Sequence, residues 1–110
     1  MPTEQALTLY ENNDEKLNFT ITSNVVGFTL IGTDIEVYLK VARTTADNDP
    51  GVWVGTVDDG DVVIDDADEG YVMIPRSAVT TTKGWYRIDV IDTGDIRKTA
   101  AYGTVTVVDL

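Results

Sequence analysis

The sequence predicts an all-β protein: an antiparallel β-sandwich of about seven to nine short strands, forming one domain over residues 1–110. Three observations carry that expectation. Apolar and polar residues alternate with period two in several short runs, the pattern of strands with one buried face. Turn chemistry, including Pro50-Gly51, Asp59-Gly60 and clustered Asp and Asn, punctuates the chain at regular intervals. No run keeps a 3.6-residue apolar period long enough for a helix.

The elements follow in order. Residues 1–5 are polar and predict a loose start, and 6–10 (ALTLY) a short edge strand. Residues 11–15 form an acidic, turn-rich link. In 16–22 (KLNFTIT), Leu17, Phe19 and Ile21 face one way and Asn18, Thr20 and Thr22 the other. Asn18-Phe19-Thr20 has the form of a glycosylation acceptor, but a strand position and the lack of a secretion signal make it a chance match. Residues 23–32 connect, with Phe28 and Leu30 turned into the core. In 33–42 (TDIEVYLKVA), Ile35, Val37, Leu39 and Val41 make the inner face, and Glu36, Tyr38 and Lys40 the outer one. Residues 43–51 are a polar loop ending in Asn48-Asp49-Pro50-Gly51. Strand 52–57 (VWVGTV) and strand 62–64 are expected to pair as a hairpin across Asp58-Asp59-Gly60-Asp61. An acidic turn, 65–70, precedes strand 71–74, which Pro75 ends; 77–82 connects, with room for one helical turn. In 85–91 (WYRIDVI), Tyr86, Ile88 and Val90 alternate with Trp85, Arg87 and Asp89. Asp92-Thr93-Gly94-Asp95 is a tight turn with Gly94 free to take positive φ, and 96–109 returns with a bulge or bend at Gly103. Strand number and spacing point to immunoglobulin-like topology, without the Cys–Trp–Cys pattern of antibody domains.

Composition removes whole classes of chemistry. The chain has neither cysteine nor histidine, so disulfides, thiolate metal sites and imidazole general-base catalysis are excluded. Its serines, Ser23 and Ser77, lack the usual activating base, and the carboxylates crowd into turns, so no catalytic residues and no cofactor are expected. A net charge of −11 disfavours nucleic acid and anionic membrane surfaces, and its ordinary effect is to keep a protein in solution. No apolar stretch approaches the ~20 residues that cross a bilayer. Met1-Pro2 reads as a native start, the expectation being a whole small protein.

Two sets of residues invite a binding role. Trp85, Arg87, Tyr38 and Trp53 are the interface candidates, because Trp, Tyr and Arg are the side chains that dominate contact energies and Trp85, Arg87 and Tyr38 alternate to the outer strand faces. Asp65, Asp66, Asp68 and Glu69 are the weak calcium candidates, though solvated turns are the simpler role for them and no metal is expected. An aromatic face beside acidic loops also suits the alternative of a carbohydrate- or receptor-binding module.

The order of these strands resembles a known family. An early strand (LNFTIT), a Gly-Thr corner feeding IGTDIEVYLKVA, and DDADEGYVMIP come before the closing pair. That pair contains Gly84-Trp85-Tyr86 and Gly103-Thr104-Val105-Thr106-Val107. The chain is thereby similar to immunoglobulin-like domains of tailed-bacteriophage virion proteins, such as the N-terminal domain of baseplate upper proteins. The resemblance implies a non-enzymatic structural protein of the virion: a tail, baseplate or minor tail/connector component, or alternatively a capsid decoration protein. It implies docking in many copies on other virion proteins or as a homo-oligomer, and it transfers no catalytic residues.

Overall fold

The computed structural model describes residues 3–22 and 28–109. Residues 23–27 of the expected connection, with Met1, Pro2 and Leu110, lie outside the described residues. Nine strands are described: β1 (Thr3–Glu4), β2 (Leu7–Tyr10), β3 (Glu15–Thr20), β4 (Asp34–Lys40), β5 (Trp53–Thr56), β6 (Val62–Ile64), β7 (Glu69–Ile74), β8 (Trp85–Ile91) and β9 (Arg97–Val108). A single 3₁₀ turn, Arg76–Ala78, links β7 to β8, where one helical turn is expected. Among the described residues no helix is long and apolar enough to cross a membrane.

The strands make two layers. The front sheet has the order β1-β9-β8-β4-β5, with β2 also on β9, and the back sheet the order β3-β7-β6. Between them lie Ile35, Val37, Leu39, Val62, Val72, Ile74, Tyr86, Ile88 and Val90, alternate residues of their strands, with Leu30 added from the connection before β4. The hydrophobic gain is largest where both layers contribute, and Ile35, Val37, Leu39 and Ile88 are all but inaccessible.

Several local expectations need correction. β1 and β2 run parallel to β9, because the chain starts and finishes in the same direction along one edge. Asp59-Gly60 does turn the chain: Gly60 N–H donates to the Val57 carbonyl at 3.0 Å with φ +82°. The strands on either side do not form a hairpin, however. β5 pairs with β4 and β6 with β7, so the turn carries the chain from one sheet to the other. In the β8–β9 turn the positive φ falls on Asp95 (61°) rather than Gly94, since Asp tolerates this region and the Asp92 carboxylate binds Gly94 N–H and Ile96 N–H. Val41 stands exposed beyond the end of β4 instead of continuing its inner face. The bulge of β9 is at Ala100, not Gly103: Ile88 faces Ala101 while Asp89 faces Thr99.

Candidate interaction surface

The outer face of the front sheet gathers most of the candidate residues. Antiparallel pairing sets Tyr38 opposite Arg87, Glu36 opposite Asp89 and Lys40 opposite Trp85, and puts Tyr102 beside Arg87 from β9. Asp89 is 1% exposed, yet its carboxylate is fully engaged. It accepts from Arg87 Nε at 3.0 and 3.1 Å, from an Arg97 guanidinium N–H at 2.9 Å and from Thr99 Oγ1 at 2.9 Å. A buried charge is tolerated only when paired and hydrogen-bonded in this way. Arg97 also meets Glu36 at 2.7 Å. Lys40, 3% exposed, donates to the Thr45 carbonyl at 2.8 Å and to Asp47, whose other oxygen takes Arg87 at 2.8 Å.

Protonation follows from these contacts. Hydrogen bonds from Arg87, then from Lys40, hold the Asp47 carboxyl down at about 2. Burial would raise the Glu36 carboxyl, but hydrogen bonds from Tyr38 and Arg97 outweigh it and bring it below the ordinary value. Burial and the Glu36 carboxylate push the Tyr38 hydroxyl up, and Glu36 and Asp89 raise the Arg97 guanidinium. Because the Asp47 pKa is lower in the folded protein than the 3.8 of the free side chain, its stabilisation is complete above about pH 4 and disappears as pH falls toward 2. The difference in melting temperature between wild type and Asp47→Asn should therefore be largest above pH 4 and shrink toward pH 2. A difference that stays constant across that range would refute the ion pairs' role.

The four interface candidates thus fare differently. Tyr38 is 8% exposed, donates to Glu36 Oε1 at 2.5 Å and lies under the Arg87 guanidinium, 4.5 Å from the ring centroid. Tyr38 and Arg87 are largely committed to the network. Trp53 stands apart from the other three: pairing opposite Leu39 turns it to the inner face, half-buried against the core, with its ring over Gly55. Trp85 keeps a partly open position. Beside it are two residues outside the four interface candidates. The Tyr102 ring is 5.6 Å away and tilted by 37°, and the Arg43 guanidinium, from the loop after β4, lies 5.3 Å from the Trp85 centroid and 5.8 Å from that of Tyr102. No described carboxylate pairs with Arg43, although Lys40, Arg87 and Arg97 on the same face all have one. These residues rim a cleft of about 380 Å³ with Arg87 and Thr99. Arg43 gives no sequence signal, because loop geometry brings it over the rings. Tyr102 is hidden by the Ala100 bulge, since an unbulged ladder would turn it inward.

The calcium candidates form a turn. Asp66 Oδ1 accepts from Asp68 N–H at 3.1 Å and Glu69 N–H at 3.2 Å, and the Glu69 carbonyl accepts from the Asp65 and Asp66 amides. Among the described residues no three acidic side chains converge as metal ligands.

No family model and no curated protein matches the chain. Solved structures do. An immunoglobulin domain of the ZIG-8–RIG-5 IG1–IG1 heterodimer aligns over 97% of this chain and 84% of its own, at 13% identity and TM-score 0.50. The extracellular domain of the voltage-gated sodium channel β4 subunit, described in parallel homodimers that explain a role in cell–cell adhesion, aligns over 98% and 88%, at 14% identity and TM-score 0.44. At such identity the first likeness speaks to fold alone, and with the strand order above it makes this chain an immunoglobulin-like β-sandwich. Neither of these two structures is a phage virion protein.

Proposed function

We propose that the protein is a non-enzymatic docking module that binds another protein through the Trp85–Tyr102–Arg43 cluster. The observation that carries this is the cluster itself. Two neighbouring rings and a guanidinium with no described carboxylate partner rim one cleft, backed by a sheet face on which Lys40, Arg87, Arg97, Glu36 and Asp89 are already paired. Such a rigid backing lets aromatic and Arg side chains contribute binding energy without ordering costs. A finer reading, a bacteriophage virion component present in many copies among other virion proteins, is supported by the resemblance of the Gly84-Trp85-Tyr86 and Gly103-Thr104-Val105-Thr106-Val107 strands. In that setting symmetry would multiply modest single contacts.

Trp85→Ala and Arg43→Ala test the docking reading. Both side chains are at least partly exposed, so the melting temperature should fall by less than about 5 °C. Binding to the partner, or co-sedimentation with assembled particles, should weaken about 30-fold for Trp85→Ala. A large loss of stability with undiminished docking would show that the cluster serves packing instead. Immunogold labelling of purified particles with antibody to this chain tests the finer reading, which fails if the protein stays in the unassembled fraction.

A further inference from the structure

The two sheets do not close on the side where the chain begins. There the front sheet ends in β1 and β2 on β9, and the back sheet ends in β3, which has no described strand on its free side. Register decides what this edge offers. Ile21 N–H donates to the Asp68 carbonyl at 2.7 Å, and the ladder continues through Phe19 opposite Gly70, Leu17 opposite Val72 and Glu15 opposite Ile74. Alternate residues of an antiparallel ladder point their backbone groups to opposite sides. The N–H and C=O groups of Lys16, Asn18 and Thr20 therefore face away from β7, and no described strand takes them.

A cleft of about 330 Å³ runs between this edge and the β1–β9 edge. Leu7, Leu17, Phe19, Ile21, Ala100 and Ala101 provide its apolar walls. Leu17, Phe19 and Ile21 are inner-face residues and yet only half-buried, whereas Val72 and Ile74 on the neighbouring strand are fully buried. In a chain of net charge −11, no described residue lining the cleft is charged. Edge strands are ordinarily blunted by charge, proline or a bulge. The charges of β3 sit at its start: Glu15 accepts from Tyr10 N–H at 3.0 Å, and the Lys16 ammonium is drawn over the Tyr71 ring at 4.3 Å.

We propose that this cleft is a strand-acceptor site, taking an uncharged extended segment of another protein as a further strand on β3. The outward backbone groups of Lys16, Asn18 and Thr20 set its register, and Leu17, Phe19 and Ile21 receive its apolar side chains at alternate positions. The uncharged walls match an uncharged segment and reject a charged one, whose desolvation nothing there would offset. The site is distinct from the Trp85 cluster and does not depend on it.

The probe is a capped peptide of alternating valine and threonine, titrated into the ¹⁵N-labelled full chain. Hydrogen exchange at the Lys16, Asn18 and Thr20 amides should slow at least about tenfold on saturation, while Leu17 and Phe19, already bonded to β7, stay unchanged. Asn18→Pro removes an outward N–H without touching the β7 ladder, so it should melt near wild type and bind the peptide at least about tenfold more weakly. Thr20→Pro repeats the test one pair along, and the pattern of protection in wild type decides alone if both variants unfold. A peptide with lysine in place of its central valine should also bind at least about tenfold more weakly. The proposal is overturned if these amides show no slowing at millimolar peptide, or if folded proline variants bind as well as wild type. It is overturned too if the amides become protected simply with rising protein concentration, which would make the occupant a second copy.

Discussion

Asp89→Ala should be among the most damaging single substitutions in this protein, lowering stability by about 3–5 kcal/mol. Alanine at this position leaves the Arg87 and Arg97 guanidiniums and the Thr99 hydroxyl aimed at an empty, water-poor site. Removing one partner of a buried charge set costs far more than the set contributes net: Arg87 keeps Asp47 and Arg97 keeps Glu36, but the guanidinium N–H groups and the Thr99 hydroxyl that met Asp89 are left without an acceptor. For a domain of this size the melting temperature should drop by at least about 12 °C. Asp89→Asn keeps the shape but sets amide hydrogens against guanidinium hydrogens, so it should fall between alanine and wild type. In an Arg87→Ala background the penalty of Asp89→Ala should shrink, the mark of a coupled pair. A melting temperature within about 3 °C of wild type for Asp89→Ala would show that the carboxylate is dispensable, and the account of the front sheet's outer face would fail.

How much of this was legible in the residues differs by level. Period-two alternation located β3, β4 and β8 and chose their inner faces, because burial acts residue by residue along a strand; β9 was located by its β-rich composition after a turn, without its faces. Pairing was less legible. The Asp59-Gly60 turn has the same local chemistry whether the next strand folds back or crosses to the other sheet, and the sequence carries no term for that choice. The fate of outer-face residues was less legible still. Tyr38, Lys40 and Asp89 alternate as solvent-facing positions, but complementary charges arriving from β8, β9 and the loop after β4 bury them. One extra residue, Ala100, flips every later side chain of β9, which moves Tyr102 beside Trp85 and sends Gly103 to the inner side. The candidate site therefore depends on a bulge that no periodicity announces.

That same shift makes Gly103→Ala the second substitution with a large expected effect. Gly103 pairs opposite Tyr86, where the chain between β1 and β2 passes close over β9. A Cβ at this position would lie 2.1 Å from the Gln5 carbonyl oxygen and 2.7 Å from its carbon, contacts with backbone rather than with a side chain that could swing aside. Gln5 cannot retreat without cost. Its N–H donates to the Tyr102 carbonyl at 2.9 Å, and its carbonyl accepts from the buried Tyr86 hydroxyl at 2.6 Å. Displacing it would break both bonds, leave the Tyr86 hydroxyl without its acceptor and lift β1 from β9. A loss of about 3 kcal/mol is expected, at the upper end of what overpacking usually costs. Local exchange should show where the damage lies: the amides of Gln5 and of β2 should lose protection, while those of β4 and β8, held by their own ladders, keep most of theirs relative to global unfolding. Removing the tyrosine hydroxyl as well, in a Gly103→Ala, Tyr86→Phe double variant, should cost less than the two single changes added together, because the methyl group has already broken that bond. Strict additivity, or unchanged protection through β2, would mean that the N-terminal strands shift to admit the methyl group and that this glycine is not what seats them on β9.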